Sequence, residues 1–158
     1  MKNWQTYIDN VNHFQIKYPD KWKNKLSNNI IIFLSPQEND EDIFLENVNL
    51  MLQDLSRESM TLEKYTELTQ KQVIDNFGVP AIISLKNTTI SEQKTKEFIY
   101  DMNYQDRNLK LKQFWFIRDN TAYLFTYTAE RSQYDKYDET ATQIIQSFTF
   151  TQNGSNNH

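Results

Sequence analysis

The side chains that usually carry chemistry are either missing from this chain or scattered along it. There is no Cys, which excludes a thiol nucleophile, a zinc-thiolate centre and a disulfide framework. The only histidines are His13, beside an early alternating apolar run, and His158, the last residue. A Ser-His-carboxylate triad would have to take its imidazole base from His13, and no nucleophile elbow accompanies it. With two Gly in the whole chain there is no Gly-rich loop to cradle a phosphate or dinucleotide. Carboxylates are plentiful, 21 in all, and any two that converge could support hydrolysis, yet no spacing singles out a pair. On these grounds no catalytic residue, cofactor or metal ligand is assigned, and the chain is expected not to be an enzyme.

Three further groups need weighing. The acidic run Glu38-Asn39-Asp40-Glu41-Asp42 offers the hard oxygen ligands that calcium prefers. It lacks the Gly and the spaced downstream Glu of an EF-hand, so it reads as a solvated loop that binds calcium weakly at most. Asp135, Asp138 and Glu139 open a helix-period segment, where the helix dipole already explains them. The aromatics make 14% of the chain, and most fall at core periodicities. Tyr100, Tyr104, Tyr134 and Tyr137 are the ones whose hydroxyls are placed to form a docking rim, since Tyr is favoured at protein interfaces. The net charge of −4 disfavours a phosphate-binding surface and hence nucleic acid as a partner.

Positioning these residues requires one domain, residues 1–150, with 151–158 as a flexible tail; a chain of 158 residues buries about 68–70% of its unfolded surface in a single core. No stretch approaches the ~18 apolar residues of a membrane span. The expected molecule is a monomer, cytoplasmic if the chain is complete and extracytoplasmic if an export signal has been removed.

Short strands are predicted over 4–8, 13–18, 29–34 and 43–52; the third is apolar at five consecutive positions, Ile30 to Leu34, so both of its faces should be covered. A helix follows over 61–77, with Thr61 as N-cap, Leu62, Tyr65, Leu68, Thr69 and Val73 as its apolar stripe, and Gly78 and Pro80 as its stop. Four strands over 81–90, 94–104, 109–118 and 121–130 are joined by polar turns, Asp119-Asn120 being a two-residue hairpin signal. Along 109–118, Leu109, Leu111, Gln113, Trp115 and Ile117 share one face while Phe114 and Phe116 share the other, so this strand should be central. A helix over 132–148 closes the pattern, and the sum is an α+β fold of antiparallel sheet and helices, a layered α/β/α sandwich.

Several strings, taken in order, resemble the PsbP family, the photosystem II extrinsic subunit and its bacterial relatives. They are Phe14-Gln15-Ile16-Lys17-Tyr18-Pro19-Asp20-Lys21-Trp22, Asn47-Val48-Asn49-Leu50, Met60-Thr61-Leu62-Glu63-Lys64-Tyr65, Asp119-Asn120-Thr121-Ala122-Tyr123 with Tyr127-Thr128-Ala129, and Gln146-Ser147-Phe148. The resemblance implies a central antiparallel sheet flanked by helices, a fold shared with a Ran-binding nuclear import factor and the lipoprotein DcrB. It also implies an accessory role exercised by docking on proteins, with photosystem II as the partner in a photosynthetic source. Metal binding is attributed to some relatives, but the lone imidazole within the domain, His13, gives a transferred histidine site nothing to build on. A hydrolase using converging carboxylates, or a cytoplasmic sensor module of a larger protein, are the alternatives.

Overall fold

The computed structural model describes residues 3–42 and 44–152; the tail from 153, His158 and Ile43 lie outside them. In chain order the elements are β1 (Trp4–Asp9), β2 (Phe14–Pro19), β3 (Lys23–Ser27), β4 (Ile30–Leu34), β5 (Asn47–Asp54), α1 (Leu62–Phe77), a 3-10 turn (Val79–Ala81), β6 (Ile82–Ile90), β7 (Gln93–Tyr104), β8 (Arg107–Arg118), β9 (Thr121–Glu130), α2 (Tyr134–Gln146) and β10 (Thr149–Phe150). Among the described residues they form a seven-stranded sheet, β3-β4-β5-β9-β8-β7-β6, and a three-stranded one, β1-β2-β10. Every strand pair is antiparallel.

Tight turns set the register. Asn28-Asn29, Ser91-Glu92, Gln105-Asp106 and Asp119-Asn120 each join two strands, and all eight residues have positive φ. Two-residue loops with both residues left-handed match the right-handed twist of the strands they connect. The expected hairpin at Asp119-Asn120 is therefore one of four. The helix bounds also follow local chemistry: Thr61 Oγ1 accepts from the Lys64 amide at 3.1 Å, and Gly78 takes φ 87° with its N–H on the Ile74 carbonyl.

Two clusters of buried side chains alternate along β8. Leu109, Leu111 and Trp115 pack with Phe98 and Tyr100 of β7, Ala122 of β9, and Tyr65 and Val73 of α1. Phe114 and Phe116 pack instead with Tyr123, Phe125 and Tyr127 of β9, with Tyr134, Tyr137, Ala141, Ile144 and Ile145 of α2, and with Phe14, Ile16 and Tyr18 of β2. The chain is richer in sheet than the expected α/β/α sandwich, because β3 and β10 add strands and the small sheet joins α2 in covering the second cluster. The middle position of the large sheet belongs to β9, with β8 beside it. In α1 the buried position is Thr66 rather than the expected Leu68, which is exposed. Thr66 Oγ1 accepts the Trp115 indole N–H at 2.9 Å and donates to the Leu62 carbonyl at 2.7 Å, so the hydroxyl is satisfied where an aliphatic side chain would leave the indole unpaired.

Trp115 and Phe125 are fully buried on the β8–β9 hairpin. Replacing Trp115 by Ala should cost about 3–5 kcal/mol through lost contacts and a residual cavity. Thr66→Val should cost about 1–3 kcal/mol by orphaning the indole N–H. Urea titrations of both variants check this, and a Trp115→Ala protein as stable as the parent would refute the strand placement.

Candidate docking face

Reading the register across the large sheet gives three rows of neighbours on the side that carries α1. They are Lys23-Leu34-Asn47-Thr128-Leu111-Tyr100, Lys25-Ile32-Asn49-Thr126-Gln113-Phe98 and Ser27-Ile30-Met51-Leu124-Trp115-Lys96. Each row begins at the free β3 edge and runs through an aliphatic on β4; on β5 and β9 the first two rows carry amides and hydroxyls, Asn47-Thr128 and Asn49-Thr126, and the third carries Met51 and Leu124. Two of the rows end on aromatics that pack in the α1 cluster. Gln113 Nε2 donates to Thr126 Oγ1 at 3.1 Å, which holds that polar lane in place.

Only the far end of these rows has a helix over it. The α1 cluster draws on β7, β8 and β9. Ile30, Ile32, Leu34 and Met51 are half-buried and belong to neither cluster. Their alternates on the same strands, Ile31, Phe33, Val48 and Leu50, all lie in the α2 cluster. The uninterrupted apolar run of β4 therefore does not mean cover on both faces: one face is core, and the other presents aliphatic side chains partly to solvent. At the edge, Lys23, Asn24, Lys25 and Leu26 are all exposed, and Lys21, Lys23 and Lys25 join no ion pair among the described residues. This strand escapes a search for apolar alternation because it has almost none; the Asn28-Asn29 turn preceding an apolar run was its legible signal.

The four tyrosines expected at a rim do not share a surface. Tyr100 is buried under α1 and its hydroxyl is pushed up to about 12 by that burial. Tyr134 and Tyr137 are buried on the α2 side, and only Tyr104 is well exposed, at 54%. Period-two and helical spacing placed these rings on core faces, and the hydroxyls follow the rings. Among the described residues the Tyr134 hydroxyl is buried without a partner, while Tyr137 donates to Glu38 at 2.6 Å.

That contact assigns part of the acidic loop. Glu38 also pairs with Lys136 of α2, and these hydrogen bonds, Lys136 first, hold its carboxyl below the usual range. Asp42 accepts from the Glu38 amide at 3.0 Å and Asn39 from the Glu41 amide at 2.9 Å. The loop thus ties itself to α2, and among the described residues no group of three His, Asp or Glu is gathered to hold a metal. His13 sits in the β1–β2 turn with φ 59°. Behind the loop, Glu46 is only 1% exposed. Burial raises its pKa, although its own amide and that of Glu130 stabilise the charged form. Glu130 in turn is bound to Arg107 at 3.0 Å.

An antiparallel, sheet-dominated domain with two helices and a half-open sheet face is the class these features define. The family model of PsbP matches residues 2–150, and the chain belongs to the PsbP family. No curated protein matches it. Among solved structures it is similar to cyanobacterial PsbP (CyanoP) of Synechocystis sp. PCC 6803, with TM-score 0.64, 14% identity, and 95% of this chain and 94% of that one covered. It is also similar to LpqN of Mycobacterium tuberculosis, described as involved in cell envelope biogenesis, with TM-score 0.58, 10% identity and coverage of 96% and 93%. The Saccharomyces cerevisiae Ran-binding protein Mog1p gives TM-score 0.57, 11% identity and 97% coverage of both chains. At such identities the likeness speaks for the fold alone.

Two outcomes follow for the ionisable groups. The native state holds the Glu46 proton more tightly than the unfolded chain, whose ordinary value is 4.5. The contribution of Glu46 is therefore full below that pH and is lost as pH rises through the raised native value. In urea titrations across this window the stability of Glu46→Gln relative to the parent should climb with pH; a constant difference would remove the burial effect. Calorimetry with zinc, manganese and calcium should give no one-to-one isotherm of submicromolar affinity. A tight isotherm lost on replacing His13 or the 38–42 loop would restore a metal-dependent role.

Proposed function

We propose that this chain is a non-enzymatic accessory domain that docks on another protein through the open half of its large sheet. The observation that carries this is the set Ile30, Ile32, Leu34 and Met51, half-buried aliphatics that belong to neither core cluster. Apolar side chains beside a polar lane and a lysine edge have the composition of an interface with an apolar centre and a polar rim. The acids nearest to an enzyme-like arrangement support the same reading, since Glu38, Asp42, Glu46 and Glu130 each hold a structural partner. Family membership points the same way, and for a photosynthetic source photosystem II is the first assembly to test.

The test is site-specific photo-crosslinking in the native cells. A benzophenone amino acid at Ile32 or Asn49 should give one discrete adduct that is absent in a Met51→Glu background of unchanged thermal stability. The same probe at exposed Gln72 of α1 or Glu139 of α2 should give none. Equal labelling from all four positions, or no adduct from the sheet face, would overturn the docking role.

A further inference from the structure

The geometry points to an acidic, extended segment of the partner as the occupant, added antiparallel or parallel to the free edge of β3 as one more strand of the large sheet. This rests on the docking reading above and specifies its chemistry. An edge strand presents a row of unpaired backbone N–H and C=O groups, and β-strand addition uses them for affinity while alternate side chains supply selectivity. Among the described residues Lys23–Ser27 is such an edge, paired on one side with β4 only.

Its side chains define what can be added. Lys23 and Lys25 project on the side of the half-open face, in register with Leu34 and Ile32. Leu26 projects to the other side and is 64% exposed. An incoming strand that places carboxylates at alternate positions would meet both lysines, and an apolar residue next to the carboxylate that faces Lys25, on the side away from Lys23, would cover Leu26. Eight other Lys and Arg side chains of this acidic protein are already paired with carboxylates. Among the described residues several cations join no such pair, and of these Lys23 and Lys25 stand on the β3 edge, so their charge is available to a partner there. Lysines on an edge normally oppose pairing of like edges. Here that same repulsion works against a second copy of this chain, whose β3 would bring lysine against lysine, and leaves the edge open to a strand of opposite sign.

The other edge of the sheet is less suited. The β6–β7 register shifts between Ile82 and Ser84, which breaks the repeat that an added strand needs. Its lysine, Lys86, is held by Glu97 at 3.2 Å.

The full chain can be titrated with peptides of about eight residues, a typical strand length, with Glu alternating with Val and Thr. Lys-for-Glu, Gln-for-Glu and backbone N-methylated versions serve as controls, and amide NMR and hydrogen exchange are the readouts. The acidic peptide should shift and protect amides of Lys23–Ser27, and N-methylation should abolish this. Reversing both lysines (K23E with K25E) should weaken binding about ten-fold, the scale of two exposed charge pairs, and restore it for the Lys peptide; salt should weaken the parent complex. Both lysines are exposed, so the double variant should melt like the parent. Binding of the Gln or Lys peptide as tightly as the acidic one, protection elsewhere on the molecule, or no shift at millimolar peptide would overturn the proposal. Crosslinking from Ile32 or Asn49 that survives in the K23E/K25E protein would separate the two failures, since docking would stand while strand addition at β3 would fall. Concentration-dependent protection of β3 without peptide would instead name a second copy as the occupant and refute an acidic partner.

Discussion

Seven strands spaced about 4.8 Å apart make a sheet about 29 Å across, whereas one α-helix with its side chains covers about 10–12 Å. Much of the molecule's architecture follows from how the two faces meet that mismatch. On one face α2 is supplemented by the three-stranded sheet, whose Phe14, Ile16 and Tyr18 join the same cluster as Phe116 and Phe125. Phe148, at the close of α2, is in ring contact with Phe14, Phe116, Tyr123 and Phe125 and so fastens the small sheet to the large one. On the other face α1 works alone. It is anchored by the buried Trp115–Thr66 hydrogen bond over β7 to β9 and touches the end of β5 where the Tyr65 hydroxyl donates to Gln53 at 3.1 Å, while the β4 aliphatics and Met51 stay outside its cluster. The half-open face is thus a consequence of element count and geometry, and residue choice has adapted to it with aliphatics, amides and hydroxyls in place of a dry core.

Electrostatics is distributed with the same asymmetry. Around α2 the charges are internalised: Lys112 binds Asp138 at 3.0 Å, Lys136 binds Glu38, and Arg107 and Glu130 close the end of the sheet. Such partly exposed pairs are worth little individually, and they serve mainly to seat the loop 35–46 and α2 against the strands. At β3 there is no such compensation. A protein with an excess of carboxylates that nevertheless leaves both lysines of its edge strand, Lys23 and Lys25, outside any ion pair among the described residues keeps charge available at that edge.

The long hairpins were legible in the sequence because Leu109 to Arg118 and Thr121 to Glu130 alternate by side and are both half or fully buried, so period two survives. The helix stop at Gly78 was legible because only a left-handed residue fits there. β3 was legible only through its Asn28-Asn29 turn, since a strand exposed on both faces needs no apolar alternation and has almost none. Ile30 to Leu34 was legible as a strand but its environment was not: five apolar residues in a row describe a surface that wants cover without saying whether this chain or another provides it. The rim of tyrosines failed for a related reason. Sequence gives the direction of a ring relative to its element, and the depth of that ring depends on which elements are stacked above it, which is long-range information.

The four hairpin turns have no slack. Each spans two residues, both left-handed, and each sits between strands whose alternate side chains face either a core or solvent. Losing or gaining one residue in such a turn would slide a strand by one position and exchange its two faces, moving Ile31 and Phe33 outward and Ile30 and Ile32 into the core. A length change is therefore accommodated more readily in connections such as 55–61 than in these turns, and the large sheet acquires a new binding preference most simply by changing side chains in place. A scaffold of this kind keeps its frame while its surface chemistry drifts, which is consistent with a backbone similarity that persists at identities of 10–14%.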